Sequence, residues 1–154
     1  MSSLKLKRAV NTLVKDLLGL NEDESILILS DAKRQELELV FFESAKKITN
    51  DSFYLELGTD YENHEQLPGI ILETAKSVDS VMVVGDIPIL GSRILRQISS
   101  LGIRVGILPS ISEDGLARCM TADHEKMLVI ASKVEHILSR TSIIRLESRN
   151  GTDI

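Results

Sequence analysis

Two short apolar runs, SILILSD at 25–31 and SVMVVGD at 80–86, constrain this chain more than anything else in it. Neither alternates apolar with polar residues, so each has to be covered on both faces, as an interior strand of a parallel sheet is. Parallel neighbours need long crossovers, and helices supply them.

The intervening sequence has that rhythm. In LKRAVNTLVKDLLGL (6–20), Leu6, Val10, Leu13 and Leu17 recur at helical spacing before the stop signal Gly19. KRQELELVFFESAKKI (33–48) places Leu37, Val40, Phe41, Ala45 and Ile48 on one helix face and charges on the other. SFYLEL (52–57) reads as a strand, and Pro68 suits the first turn of a helix through GIILETAKSV. SRILRQISSLG (92–102) presents Ile94, Leu95, Ile98 and Leu101 together, IRVGIL (103–108) is the next strand, and Ser112 caps a short helix, SEDGLAR. The long helix DHEKMLVIASKVEHILSR (123–140) carries Met127, Ile130, Val134, Ile137 and Leu138 as its core stripe, and SIIRLES (142–148) is expected to be a strand. Asn150-Gly151 then signals a tight hairpin turn whose second arm, TDI, is only three residues long.

The fold class that follows is α/β: a three-layer α/β/α sandwich with a mostly parallel, doubly wound sheet of Rossmann-like or flavodoxin-like type. With 154 residues, 43% hydrophobic and 27% charged, residues 1–154 read as one globular α/β domain. The formal charge of −5, the absence of a basic run and only 3% aromatic residues argue against nucleic acid as a partner. No apolar stretch approaches the roughly 20 residues that span a bilayer, and Lys15 and Asp16 interrupt what would otherwise be a signal-peptide core. Cys119 is alone, excluding an internal disulfide or a cysteine-based zinc site. A cytoplasmic protein is the expectation.

Ligands of open α/β sheets sit beyond the carboxyl ends of the strands, which here present Asp31, Asp86, Pro109 and Ser110. Asp31 and Asp86 either orient a polar ligand or cap the turns after their strands. GDIPILGSR (85–93) resembles a loop that cradles an anion at a helix amino terminus, with Ser92 and Arg93 as added donors, but it has neither GxGxxG nor GxxxxGK. The candidate ligand crevice is therefore Asp31, Asp86, Ser92 and Arg93. HEKML at 124–128 begins like HExxH, yet Leu128 stands where the second histidine must be, and His64 and His136 lie elsewhere. Cys119 has no histidine and acid arranged around it and reads as a small packing residue. The acidic runs NEDE (21–24) and YENHE (61–65) read as solvated loops. No catalytic or metal-ligating set emerges from the letters alone.

GIRVGILPSISEDGLARCMTAD (102–123), followed by a long helix, SIIRLES and NGTDI, resembles the amino-terminal domain of the aminopeptidase T family of metallopeptidases, which includes the leucyl aminopeptidase-like proteins. The matching positions are Gly102, Arg104, Leu108, Pro109, Glu113, Asp114, Arg118, Gly151, Thr152, Asp153 and Ile154, with NEDESILILSD fitting the first strand more loosely. The sequence departs from the family at HEQLP, which keeps only Pro68 of a Glu-Pro-Pro-like segment, and at Ser92 and Arg93, where the family often has His-Thr. The resemblance implies that residues 1–154 are the amino-terminal domain of a longer two-domain protein. It implies no cofactor in this chain, two divalent metals in the missing catalytic domain, that carboxy-terminal domain as the chain's own partner, and a homo-oligomer. The role implied is non-catalytic: packing on the catalytic domain and walling its cleft. The alternatives from other classes are a free-standing module binding a small polar or anionic ligand, and a pure interaction domain.

Overall fold

A computed structural model describes residues 4–31, 33, 35–58, 61–109, 111–120 and 123–154. They form two compact units, Met1–Met120 and Thr121–Ile154. The first is an α/β sandwich built on four parallel strands, β1 (Ile26–Ser30), β2 (Ser52–Glu56), β3 (Ser80–Val84) and β4 (Arg104–Leu108), in the order β2-β1-β3-β4. Ile26 stands opposite both Ser52 and Ser80, and Ser80 opposite Arg104.

Every residue of β1 and β3 is buried. The pleat sends alternate side chains to opposite faces. Ile26, Ile28, Met82 and Val84 meet α1 (Leu4–Asn11), α2 (Gln35–Ala45) and α5 (Glu113–Cys119) on one side. Leu27, Leu29, Val81 and Val83 meet α3 (Ile70–Ala75) and α4 (Arg93–Ser100) on the other. Each large aliphatic side chain so covered contributes about 1.5–3 kcal/mol. The chain goes from β1 to β2 over the first face, then returns past β1 to β3 and on to β4 over the second. That reversal makes the β1/β3 boundary the switch point of a doubly wound sheet.

The first helix departs from the regular spacing expected of it. After Asn11 it widens into a π-helical segment, Thr12–Leu17, closed by Leu18 N–H donating to Leu13 O at 2.8 Å. The wider turn takes up an extra residue. Leu6, Val10, Val14 and Leu18 are therefore the buried stripe, Leu13 is half-buried, and Leu17 is exposed. Pro68 lies just before α3 rather than in its first turn, its carbonyl accepting from Ile71 N. Leu101, expected on the covered face of α4, is exposed because the helix ends at Ser100 and Gly102 turns the chain at φ +79°.

A polar network fastens the amino edge of the sheet. Ser25 donates to Asp79 Oδ2 through its N–H (2.8 Å) and its hydroxyl (2.7 Å), tying β1 to β3. Arg104 forks onto Glu24 at 2.9 and 2.6 Å, and its Nε reaches Leu18 O at 3.0 Å, which ties β4 to the end of the first helix. The Arg104 hydrogen bonds hold the Glu24 carboxyl below its usual range, and the Ser25 donors do the same for Asp79.

In the second unit, α6 (His124–Leu138) is capped by Asp123, which accepts from Lys126 N at 3.1 Å. Nothing within this unit covers the expected core stripe: Met127, Ile130, Val134, Ile137 and Leu138 are 42–65% exposed. The segment 142–148 is not a strand, because a strand needs a ladder and only its end finds one. Leu146 and Ile154 exchange two backbone hydrogen bonds, Ser148 N donates to Thr152 O, and Glu147 bridges antiparallel to Asp153. Gly151, at φ +96°, makes the turn, and Arg145 clasps Asp153 with two 2.9 Å bonds. Among the described residues no helix is long and apolar enough to cross a membrane.

Both network carboxyls titrate below their ordinary values in the folded chain, so their stabilising contribution is full above the unfolded values near pH 4 and is lost as pH falls through the folded ones. The thermal midpoint should therefore drop below about pH 4. Arg104→Gln should cost about 1 kcal/mol at neutral pH, the scale of a solvent-screened pair, and flatten that acid slope. A midpoint that ignores both changes would show that the network contributes no stability.

Candidate functional site

At the switch point β1 runs out into Asp31 and β3 into Gly85-Asp86, so the two acids marked in the sequence come together. The contact is between the Asp31 side chain and the Asp86 backbone. Asp31 Oδ2 accepts from Asp86 N at 2.7 Å, and Oδ1 accepts from Lys33 N at 3.2 Å. Gly85 makes this possible. It sits at φ +116°, and a Cβ built on it would overlap the Asp31 carboxylate. An L side chain fails there on both conformation and space. Asp31 thus caps one turn and pins the next, as Asp and Asn do wherever strands give way to loops.

What remains open is small. Asp31, Lys33, Tyr61, Asp86 and Pro88 are among the residues around a hollow of about 20 Å³, room for a single water. Ser92 and Arg93 do not line it. Ser92 is buried as the N-cap of α4, accepting from Leu95 N at 2.9 Å, and Arg93 is exposed on the first turn. The structure therefore pairs Asp31 with Asp86 and leaves the other two candidates outside the hollow they form.

The other singled-out positions have local structural partners. Gly102 ends α4, and Arg104 anchors the amino-edge network. Pro109 follows β4, exposed; Ser110 lies outside the described residues. Glu113 and Asp114 occupy the first turn of α5, where acids suit the helix dipole, and Asp114 pairs with Arg118 at 2.9 Å. Gly151, Thr152 and Asp153 form the hairpin. Thr152 N also donates to Ser148 Oγ. Cys119, expected to pack, is exposed at the last turn of α5, since Leu116 and Ala117 take the buried face. His64 lies in a 3₁₀ turn, His136 is exposed on α6, and the His124 side chain is outside the described set. Among the described residues no three of His, Cys, Asp or Glu are grouped to hold a metal ion. The two divalent metals implied by the resemblance have no ligand set there.

One polar cluster escaped the sequence. Glu38 is fully buried on α2. The Tyr54 hydroxyl lies 3.3 Å from Glu38 Oε2 and 3.4 Å from Glu56 Oε2, and it also bonds to buried Ser30. Burial pushes the Tyr54 phenol up, with the two carboxylates adding to the effect. The signal was there to read: Glu38 stands three and seven residues before Phe41 and Ala45, on the covered face.

With this geometry in view, the comparisons carry weight for the fold. No family model matches the sequence, and no curated protein matches it. Solved structures that share its fold include the following two. 2,5-Dihydroxypyridine dioxygenase from Pseudomonas putida superposes with a TM-score of 0.69 at 20% identity, over 96% of this chain and 45% of its own. AmpT from Thermus thermophilus superposes with a TM-score of 0.51 at 9% identity, over 75% of this chain and 41% of its own. The chain spans less than half the length of either. At such identities the likeness establishes the α/β fold, and AmpT is a distant, partial neighbour.

Gly85→Ala should destabilise the first unit by about 2 kcal/mol, combining backbone strain with the Asp31 overlap. Paired with Asp31→Ala, which removes the overlap and leaves the strain, the double variant should cost about 1 kcal/mol less than the sum. Urea unfolding of the four proteins measures this directly; strict additivity would disprove the contact.

Proposed function

We propose that this chain is the non-catalytic amino-terminal domain of a two-domain, metal-dependent aminopeptidase-like protein, packing against a catalytic domain and helping to wall its cleft. The observation that carries this reading is the surface of the second unit. Besides the α6 stripe, Leu128 and Val129 on that helix and Ile143, Ile144, Leu146 and Ile154 after it are 55–84% exposed. An amphipathic helix whose apolar side finds no cover in its own unit is built to meet another surface.

Two further observations support the proposal. Both solved neighbours are more than twice as long as the region they share with this chain. The two differ in kind, a dioxygenase and AmpT, which fits a fold that supports chemistry housed elsewhere. In this reading the two divalent metals belong to the other domain. The free-standing ligand module is less well supported, because the hollow between Asp31 and Asp86 has room for one water and both Asp31 oxygens are engaged.

The wider likeness to the dioxygenase, 96% of this chain against 75% for AmpT, favours a second reading of the partner domain: an oxygenase rather than a peptidase. The amino-terminal role is the same in both.

Reading the source gene past the codon for Ile154 tests the proposal. An open frame continuing into a segment with spaced Glu, His, Tyr and Asp is expected, and a stop codon there would overturn it. The encoded protein should hydrolyse amino-acid p-nitroanilides in a metal-dependent way; oxygen uptake with 2,5-dihydroxypyridine instead selects the second reading. The isolated chain should self-associate through the second unit, and Ile130→Glu with Ile137→Glu should give a monomer of unchanged thermal midpoint in sedimentation velocity.

A further inference from the structure

Among the described residues, the buried polar side chains are hydrogen-bonded with one exception. Ser80 Oγ donates to Ser25 O, Thr49 Oγ1 accepts from Asp51 N, Ser92 Oγ accepts from Leu95 N, and Ser30 and Glu38 both bond to Tyr54. Ser44, 5% exposed, is the exception: among the described residues its hydroxyl has no partner. An unmet buried hydroxyl costs about 1–3 kcal/mol, so a native chain that keeps one calls for an account of what meets it.

Ser44 lies on the last turn of α2, where α1 packs, and helps line a groove of about 250 Å³ between the two helices. Two lysines flank it. Lys7 comes from α1 and Lys47 from the turn after α2, and neither has an ion pair among the described residues. Glu43, at the rim, pairs with Lys46 at 3.7 Å, which directs its charge along α2. Leu39, half-exposed, and Val40 supply an apolar wall.

We infer that this groove binds a phosphate monoester with an apolar substituent, the Ser44 hydroxyl donating to a phosphate oxygen and the Lys7 and Lys47 ammonium groups neutralising its charge. Three single donors on separate side chains suit a tetrahedral oxyanion approached from several directions. A planar carboxylate is better matched by a guanidinium fork, and the groove has none. The volume is several times the roughly 30 Å³ share of one water, so a bare ion leaves the Leu39 side empty. The site is independent of the switch-point hollow and of the apolar second unit.

The test is an amide-shift titration of the intact chain with phenyl phosphate, and with inorganic phosphate and benzoate at matched ionic strength. Phenyl phosphate should give saturable shifts confined to Lys7 and residues 39–47 and bind more tightly than either control. Lys7→Gln with Lys47→Gln should weaken it about tenfold or more and flatten its salt dependence. Ser44→Ala should weaken it about tenfold while leaving the thermal midpoint unchanged or higher, since the unmet hydroxyl is gone. The inference fails if the shifts do not saturate, or if all three anions act alike. It fails equally if Ser44→Ala binds as the parent does; water then meets the hydroxyl and the lysines only balance the carbonyl end of α2.

Discussion

The structure depends on two strands having no solvent-facing side. Once β1 and β3 are apolar at every interior position, helices must cover both faces of the sheet, and the chain must cross from one face to the other to supply them. The reversal at the β1/β3 boundary follows from that demand. So do the details that let the layers close. Gly106 in β4 leaves space that Met82 fills, a Cβ there falling 2.6 Å from its sulfur. At the strands' amino ends, where covering side chains run out, hydrogen bonds among Glu24, Ser25, Asp79 and Arg104 take over.

Most of that frame was legible in the sequence because it rests on patterns the backbone enforces locally. The four strands, the cap at Ser112 and the covered face of α2 all follow from period and punctuation; Ser92, read as a ligand donor, is instead the cap of α4. What could not be read depends on contacts between distant segments. Periodicity showed that α6 has an apolar side but not whether anything covers it, and SIIRLES has the composition of a strand without a neighbour to pair with. Glu38 was assigned to the charged side by residue type although its position faces inward. The site was half legible: of the two readings open for Asp31 and Asp86, the Asp31 carboxylate follows the capping one, but that it reaches the Asp86 backbone across a Gly85 at positive φ depends on two strands meeting and could not be read from the letters.

The positions carried by the family resemblance share one property here. Arg104 ties a strand to a helix, Asp114 and Arg118 brace a short helix, and Asp153 closes a hairpin through Arg145. Gly102 and Gly151 supply left-handed turns. These are joints between elements. A signature made of joints describes how a domain is assembled, which is what a scaffold keeps even when different chemistry is mounted on it.

The π-helical segment has a separate bearing on how such a chain changes over time. A helix with a wider turn holds one residue more than a regular turn does without breaking its ladder. Loss of a residue between Thr12 and Leu17 would let the segment tighten to an ordinary α-helical turn, keeping Leu6 and Val10 in place. Length variation is normally confined to loops; the wider turn is a place inside a packed helix where the loss of a residue leaves the ladder a regular geometry to fall into.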